Sequence, residues 1–326
     1  MTTSIRIITV VLVLLMPTLA AAQQLNRDQI VAALEKDGCV TLDQSKVRIC
    51  KDDYSSDGKF VEGISIRPLA EGKFPGLLLI PGHEGRATVN ITLGLIFAQQ
   101  GFACFSLGQP GSGKTQVELD FVGPRTIKAM IAGYEKFKRE PYVDATKMGI
   151  FGYSRGAMAA ALMATKLKDL KAVVLGAGVY DFKKAYDEVK IEGIRENMRK
   201  ESGMTPKAIR DRSAILRMDR VKAAVLILHT QKDENVPVSQ AYLLRDRLTE
   251  LKKDFEIKVF PEGKHGWITG NLIDASLDFL SRKLKGAPAK VKIGLKDSSR
   301  IWPFKTDLLI LSRGRTRREA VPSFRS

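Results

Sequence analysis

A doubly wound, mostly parallel α/β sheet with helices on both faces is the fold class this sequence predicts, on three observations. Short apolar runs alternate with longer segments of helical character. One run, 148–153, leads directly into a serine held between two glycines. Two later runs are each followed by a polar loop, one carrying an aspartate and the other a histidine. Open α/β sheets build their sites just past the carboxyl ends of their strands.

The elements follow in chain order. A helix is expected at 27–35, and the first clear sheet strand at 63–67. The run Gly76-Leu-Leu-Leu-Ile80 is a buried strand, and the helix near 90–100 leads to the strand Ala103-Cys-Phe-Ser-Leu107. Phe121-Val-Gly-Pro breaks any helix begun before it, because proline lacks the N–H and clashes with the preceding turn, so the next helix is placed at 125–139. Strand 148–153 then turns into a helix at 155–166, and the strand 172–175 reads Ala-Val-Val-Leu. The apolar run 223–228, a helix at 240–253, the strand 256–260 and a helix at 272–285 complete the pattern. Residues 180–220 form a long, charged, helix-prone insertion between two strands, read as a cap that walls the site and limits water access. No internal repeat is visible.

The chemistry lies in Gly152-Tyr-Ser-Arg-Gly156. This G-x-S-x-G spacing at a strand-to-helix turn is a nucleophile elbow of the α/β-hydrolase kind, with Ser154 on a strained turn and its hydroxyl exposed. A serine needs a base in hydrogen-bond reach and an acid that orients the base. The chain has three histidines, His83, His229 and His265. In this fold the triad runs nucleophile, acid, histidine, and only His265 lies beyond both Ser154 and the expected acid. Asp233 follows the strand 223–228 in a short polar loop; Asp181, one strand earlier, is the rival acid. One oxyanion donor is expected from the main-chain N–H of Arg155, just after the nucleophile, and the other from the loop after 74–80. The Arg155 side chain reads as a helix-surface charge rather than a substrate contact.

From about 55 to 284 the chain resembles the catalytic domain of the prolyl oligopeptidase family, with dienelactone hydrolase-like enzymes as neighbours. The resemblance rests on Gly-Tyr-Ser-Arg-Gly-Ala-Met around Ser154, Val-Leu-Ile-Leu-His-Thr-Gln-Lys-Asp-Glu-Asn-Val-Pro around Asp233, and Gly-Lys-His-Gly-Trp around His265. It implies a serine-type peptidase or esterase with no cofactor and no metal. It also implies that the second oxyanion donor is the N–H of His83, with Glu84 as the neighbouring alternative, and that His229 supports the acid loop. Between the signal and the first sheet strand, roughly residues 23–57, there is no room for a β-propeller, whose blades need about 40 residues each. The expected substrate is therefore a small ester or a short peptide.

Gly108-Gln-Pro-Gly-Ser-Gly-Lys-Thr115 satisfies the phosphate-binding pattern G-x-x-x-x-G-K-[ST]. A nucleotide site also needs a helix from the lysine and an apolar strand ending in a magnesium-binding aspartate. The helix is broken by Phe121-Val-Gly-Pro, and none of the strong apolar runs ends directly in Asp, so no nucleotide is expected.

The amino terminus, Arg6 followed by an apolar stretch and Ala20-Ala-Ala22, reads as a secretory signal at 1–22, too short to span a membrane. An exported, periplasmic or secreted protein with no stable membrane span after cleavage is expected. Residues 23–57 form an extension in which Cys39 and Cys50 could close a loop, Cys104 reads as a buried thiol, and the catalytic domain spans 58–285. Of the net charge of +17, residues 286–326 hold ten Lys or Arg against three acids. This tail reads as a disordered basic segment outside the catalytic unit, which weakens a nucleic-acid reading of the charge. The sequence leaves the oligomeric state open.

Overall fold

The computed structural model describes residues 26–83, 85–266 and 270–289. The expected signal at 1–22, Glu84 and residues 290–326 of the basic tail lie outside them.

Helix α1 (Arg27–Asp37) opens the fold with a capping box, Asn26 and Gln29 each satisfying the other's main-chain N–H. Strands β1 (Cys39–Leu42) and β2 (Val47–Lys51) form a hairpin closed by the Cys39–Cys50 disulfide. A small two-stranded sheet, β3 (Tyr54–Ser56) and β4 (Lys59–Val61), precedes β5 (Gly63–Pro68) and β6 (Phe74–Ile80). Next come α2 (Ile91–Gln99), β7 (Ala103–Leu107), α3 (Pro124–Lys138), β8 (Val143–Tyr153), α4 (Arg155–Ala164) and β9 (Ala172–Gly176). The insertion at 180–220 folds as α5 (Phe182–Glu188), α6 (Glu192–Ser202), α7 (Pro206–Arg212) and a 3-10 stretch, Ala214–Arg220. Strand β10 (Ala224–Thr230), α8 (Ser239–Glu250), β11 (Phe255–Phe260) and α9 (Gly270–Lys285) finish the described chain.

Nine strands form one sheet in the order β1-β2-β5-β7-β6-β8-β9-β10-β11. Pairings from β7 to β11 are parallel, while β1, β2 and β5 build an antiparallel edge. The fold class is thus the expected one. Residues 39–51, read from sequence as part of an extension ahead of the catalytic domain, belong to the main sheet, because β2 pairs with β5 along its length. Without that hairpin β5 would present a bare row of N–H and C=O groups.

Successive residues of the central strands serve opposite faces, and helices cover both, so these strands are apolar throughout. Leu78 and Ile80 join the core beneath α3, α4, α8 and the cap; Leu77 and Leu79 join the core beneath α1, α2 and α9. Cys104 is fully buried in the latter. Register brings the strand ends level, with Ile80 opposite Gly152, Tyr153 opposite Gly176, Gly176 opposite Leu228 and Thr230 opposite Phe260. The loops that leave β6, β8, β10 and β11 therefore open at one edge of the sheet, where a site can form.

Candidate active site

Ser154 sits between the end of β8 and the first turn of α4 at φ 56° and ψ −122°, a conformation that strains any residue with a Cβ. Its neighbours make the turn sterically feasible. A Cβ on Gly152 would lie 2.3 Å from the Gly156 carbonyl oxygen, and one on Gly156 would lie 2.1 Å from that of Ile80. The Ser154 N–H donates to the Gly176 carbonyl at 2.7 Å, which fixes the turn to β9.

His265 Nε2 lies 2.8 Å from Ser154 Oγ, and His265 Nδ1 lies 2.8 Å from Asp233 Oδ2. The Asp233 side chain is completely buried, and its Oδ1 accepts from the N–H groups of Asn235 and Val236, both at 2.9 Å. Burial by itself raises the pKa of that carboxyl. The hydrogen bond and charge of His265, with the Val236 N–H, outweigh burial and hold it below the usual carboxylate range. An ionised Asp233 only accepts hydrogen bonds, so Nδ1 carries the proton and Nε2 accepts from the serine hydroxyl. Such an arrangement can take the Ser154 proton and hold the resulting imidazolium.

The other expected residues fall as follows. Asp181 caps α5, accepting from the Lys184 N–H at 3.0 Å. His229 is buried and neutral, its pKa pushed down by burial. Its Nε2–H donates to the Val236 carbonyl at 3.0 Å, beneath the same loop that holds Asp233. The loop after β6 lies against Ser154, since a Cβ on Gly82 would be 3.5 Å from Ser154 Cβ. Next to it, the His83 imidazole is pushed down to about 4, first by burial and then by the charge of Arg155.

Two expectations need correction or completion. The Arg155 side chain is no surface charge: it is 9% exposed, forms a forked pair with Glu201 of α6 at 3.0 and 3.3 Å, and lies 4.2 Å from the Phe121 ring centre. The partner sits 46 residues away, on a cap that the local pattern does not orient. In the glycine-rich loop 108–115 there is no helix at the lysine; the next helix is α3. The Lys114 N–H instead donates to Glu62 Oε1 at 3.0 Å, and a Cβ on Gly113 would fall 2.4 Å from Glu62 Oε2. The chain's own carboxylate fills the loop.

Sequence reasoning also passed over Tyr153, the residue between Gly152 and Ser154. Its hydroxyl accepts from the Gly266 N–H at 3.2 Å, and its ring lies 5.7 Å from that of His265, so it underpins the histidine loop. A cavity of about 430 Å³ between α3 and α7 holds none of these residues. Among the described residues no three His, Cys, Asp or Glu side chains cluster as a metal site would require.

A mostly parallel sheet of this order, with a serine elbow after β8 and a cap between β9 and β10, is the α/β-hydrolase fold. Residues 94–287 match the model of the prolyl oligopeptidase family, Peptidase_S9. The chain belongs to that family and is a serine hydrolase. The uncharacterized peptidase YtmA of Bacillus subtilis strain 168 is 31% identical over 217 residues, covering 64% of this chain and 83% of the relative. Among solved structures, the Pyrococcus horikoshii acylaminoacyl peptidase (orthorhombic crystal form) superposes with a TM-score of 0.66 at 22% identity, over 78% of this chain and 44% of that one. A putative dienelactone hydrolase from Klebsiella pneumoniae gives 0.54 at 18% identity, over 68% of this chain and 88% of that one. This chain thus spans less than half the length of the acylaminoacyl peptidase, and at these identities the structures speak for the fold alone.

Proposed function

We propose that the chain is an exported serine hydrolase that cleaves a small ester or a short peptide through an acyl-enzyme. The observation that carries this reading is the unbroken line of hydrogen bonds from Ser154 Oγ through His265 to Asp233, 2.8 Å at each link. Ser154 attacks the substrate carbonyl carbon while His265 Nε2 takes the hydroxyl proton. Asp233 keeps the ring in the right tautomer and steadies the imidazolium. The tetrahedral oxyanion is held by the main-chain N–H groups of Arg155 and His83. His265 then gives its proton to the leaving alcohol or amine, the carbonyl reforms, and water repeats the sequence to release the acid. The close approach of the loop after β6 to Ser154 supports His83 as a donor.

Export is supported by the signal-like sequence at 1–22 and by the Cys39–Cys50 disulfide, a bond that persists mainly in oxidising compartments. No helix among the described residues is long and apolar enough to cross a membrane.

Fluorophosphonate labelling of the purified protein, followed by parallel screens of p-nitrophenyl esters and aminoacyl-p-nitroanilides, tests the reading. Labelling of Ser154 with turnover in either screen is the expected result. A protein that neither labels nor turns over either substrate class overturns it.

A further inference from the structure

Glu201 ties three elements together beside the nucleophile. Its two carboxylate oxygens take the fork of Arg155 at 3.0 and 3.3 Å, and Oε2 also accepts from the Phe121 N–H at 3.1 Å. Both side chains are nearly buried, at 9% and 11% exposure. Phe121 closes the other side of the guanidinium, with its ring centre 4.2 Å from Arg155 and 5.5 Å from the Phe182 ring of α5. Phe121 and Val122 both hold positive φ, at 43° and 59°, a strained pair of non-glycine residues that the surroundings must fix. The cap is pinned to the same segment a second time, through Arg212 of α7, which donates to the carbonyls of Asp120 and Phe121.

Arg155 is the residue immediately after Ser154, and its main-chain N–H is a proposed oxyanion donor. A forked, charge-assisted pair fixes direction as well as distance, so Glu201 constrains the first residue of α4 from outside the elbow. We propose that Glu201 is a positioning residue for the oxyanion: from cap helix α6 it aligns the Arg155 main chain and locks the Phe121 segment over it, coupling the docked cap to transition-state binding. This rests on the Ser154 triad reading. Stabilisation of a developing charge depends on donors being fixed in advance, and a displacement on the scale of 1 Å costs about 100-fold. The pair therefore bears on kcat more than on ground-state affinity.

The test compares wild type, Glu201→Gln and Arg155→Met/Glu201→Met with p-nitrophenyl acetate, a probe whose small acyl group makes little demand on cap walls. Glu201→Gln keeps the shape but loses the forked charge pair. The expected result is a kcat lowered about 10- to 100-fold, KM within about three-fold, and fluorophosphonate labelling slowed in step with kcat. The double variant replaces the pair with apolar groups of similar size, a change that often leaves stability intact, and should show the same kcat loss if the single variant does not fold. A staple that serves stability alone would lower Tm and leave kcat of the folded enzyme untouched. Wild-type kcat in either folded variant, or a loss confined to KM, overturns the inference. Ser154→Ala in the same assay separates the two readings: continued labelling there refutes the triad, whereas an inert Ser154→Ala beside a fully active Glu201→Gln refutes only the role of Glu201.

Discussion

Gly156 meets the Ile80 carbonyl so closely that a Cβ would stand 2.1 Å from the oxygen, backbone against backbone. Helix α4 and the end of β6 can be this near only because one of them has no side chain, and the nearness sets the loop after β6 against Ser154. Gly156→Ala must push these two backbones apart, since no flexible side-chain end can yield. The expected outcome is a loss of about 3 kcal/mol or more in urea unfolding, with labelling of Ser154 strongly reduced in any folded fraction. Unaltered stability and labelling would contradict the geometry.

The two acids separate cleanly by experiment. Ser154→Ala should abolish covalent labelling and lower kcat by about 10⁴ or more, and Asp233→Asn should be nearly as severe. Asp181→Asn should leave kcat within a few-fold and cost about 1 kcal/mol or less, because asparagine also caps a helix. Steady-state kinetics with matched unfolding curves checks all three. A crippled Asp181→Asn beside a mild Asp233→Asn would reverse the assignment.

Acid should destabilise the fold through two histidines, the part-buried His83 and the buried His229. His83 is pushed down to about 4 and His229 is also depressed, in each case chiefly by burial. In the unfolded chain both titrate near about 6.5. Between these values the unfolded state binds protons that the folded state refuses, so stability is fully present above about pH 6.5 and falls as pH drops towards 4. His83 alone accounts for about 3 kcal/mol at most. Urea unfolding at several values between pH 7 and 4 should show the decline, and His83→Gln should flatten it. An equally steep profile in the variant would remove His83 as a cause.

The glycine-rich loop gives a further expectation. Glu62, buried behind that loop, accepts from the Lys114 N–H and from Arg86 Nη2, both at 3.0 Å. A phosphate would have to displace a carboxylate already seated there. Lys114→Ala should leave hydrolysis within a few-fold, and ATP should not raise Tm. Micromolar affinity would be conspicuous, since about 1,000-fold excess over Kd stabilises by about 4.1 kcal/mol.

Much of this architecture was legible because it is local. Apolar runs such as Gly76–Ile80 and Ala172–Leu175 can be strands buried on both faces, and Gly152 and Gly156 mark the elbow by their own lack of side chains. Chain order placed Asp233 and His265 in the loops leaving β10 and β11, and the cap of 180–220 was visible as charged helix between strands. That the hairpin of Cys39 and Cys50 pairs with the main sheet was not legible, for a matching reason. Its four- and five-residue strands carry no mark of the strand they will join, and the joining strand, β5, begins a dozen residues further on.

By itself, the sequence determined the element types, the doubly wound class and the glycine-flanked turn at Ser154, because each depends on backbone preferences and apolar periodicity within a few residues. Tertiary structure alone decided which carboxylate faces His265, that Arg155 is buried against Glu201 rather than solvated, that Glu62 fills the glycine-rich loop, and that Tyr153 reaches Gly266. A charged or polar side chain settles wherever burial is offset by a partner with the right geometry. Those partners lie 32, 46, 52 and 113 residues away, where only the closing of the sheet and the docking of the cap bring them within hydrogen-bond reach.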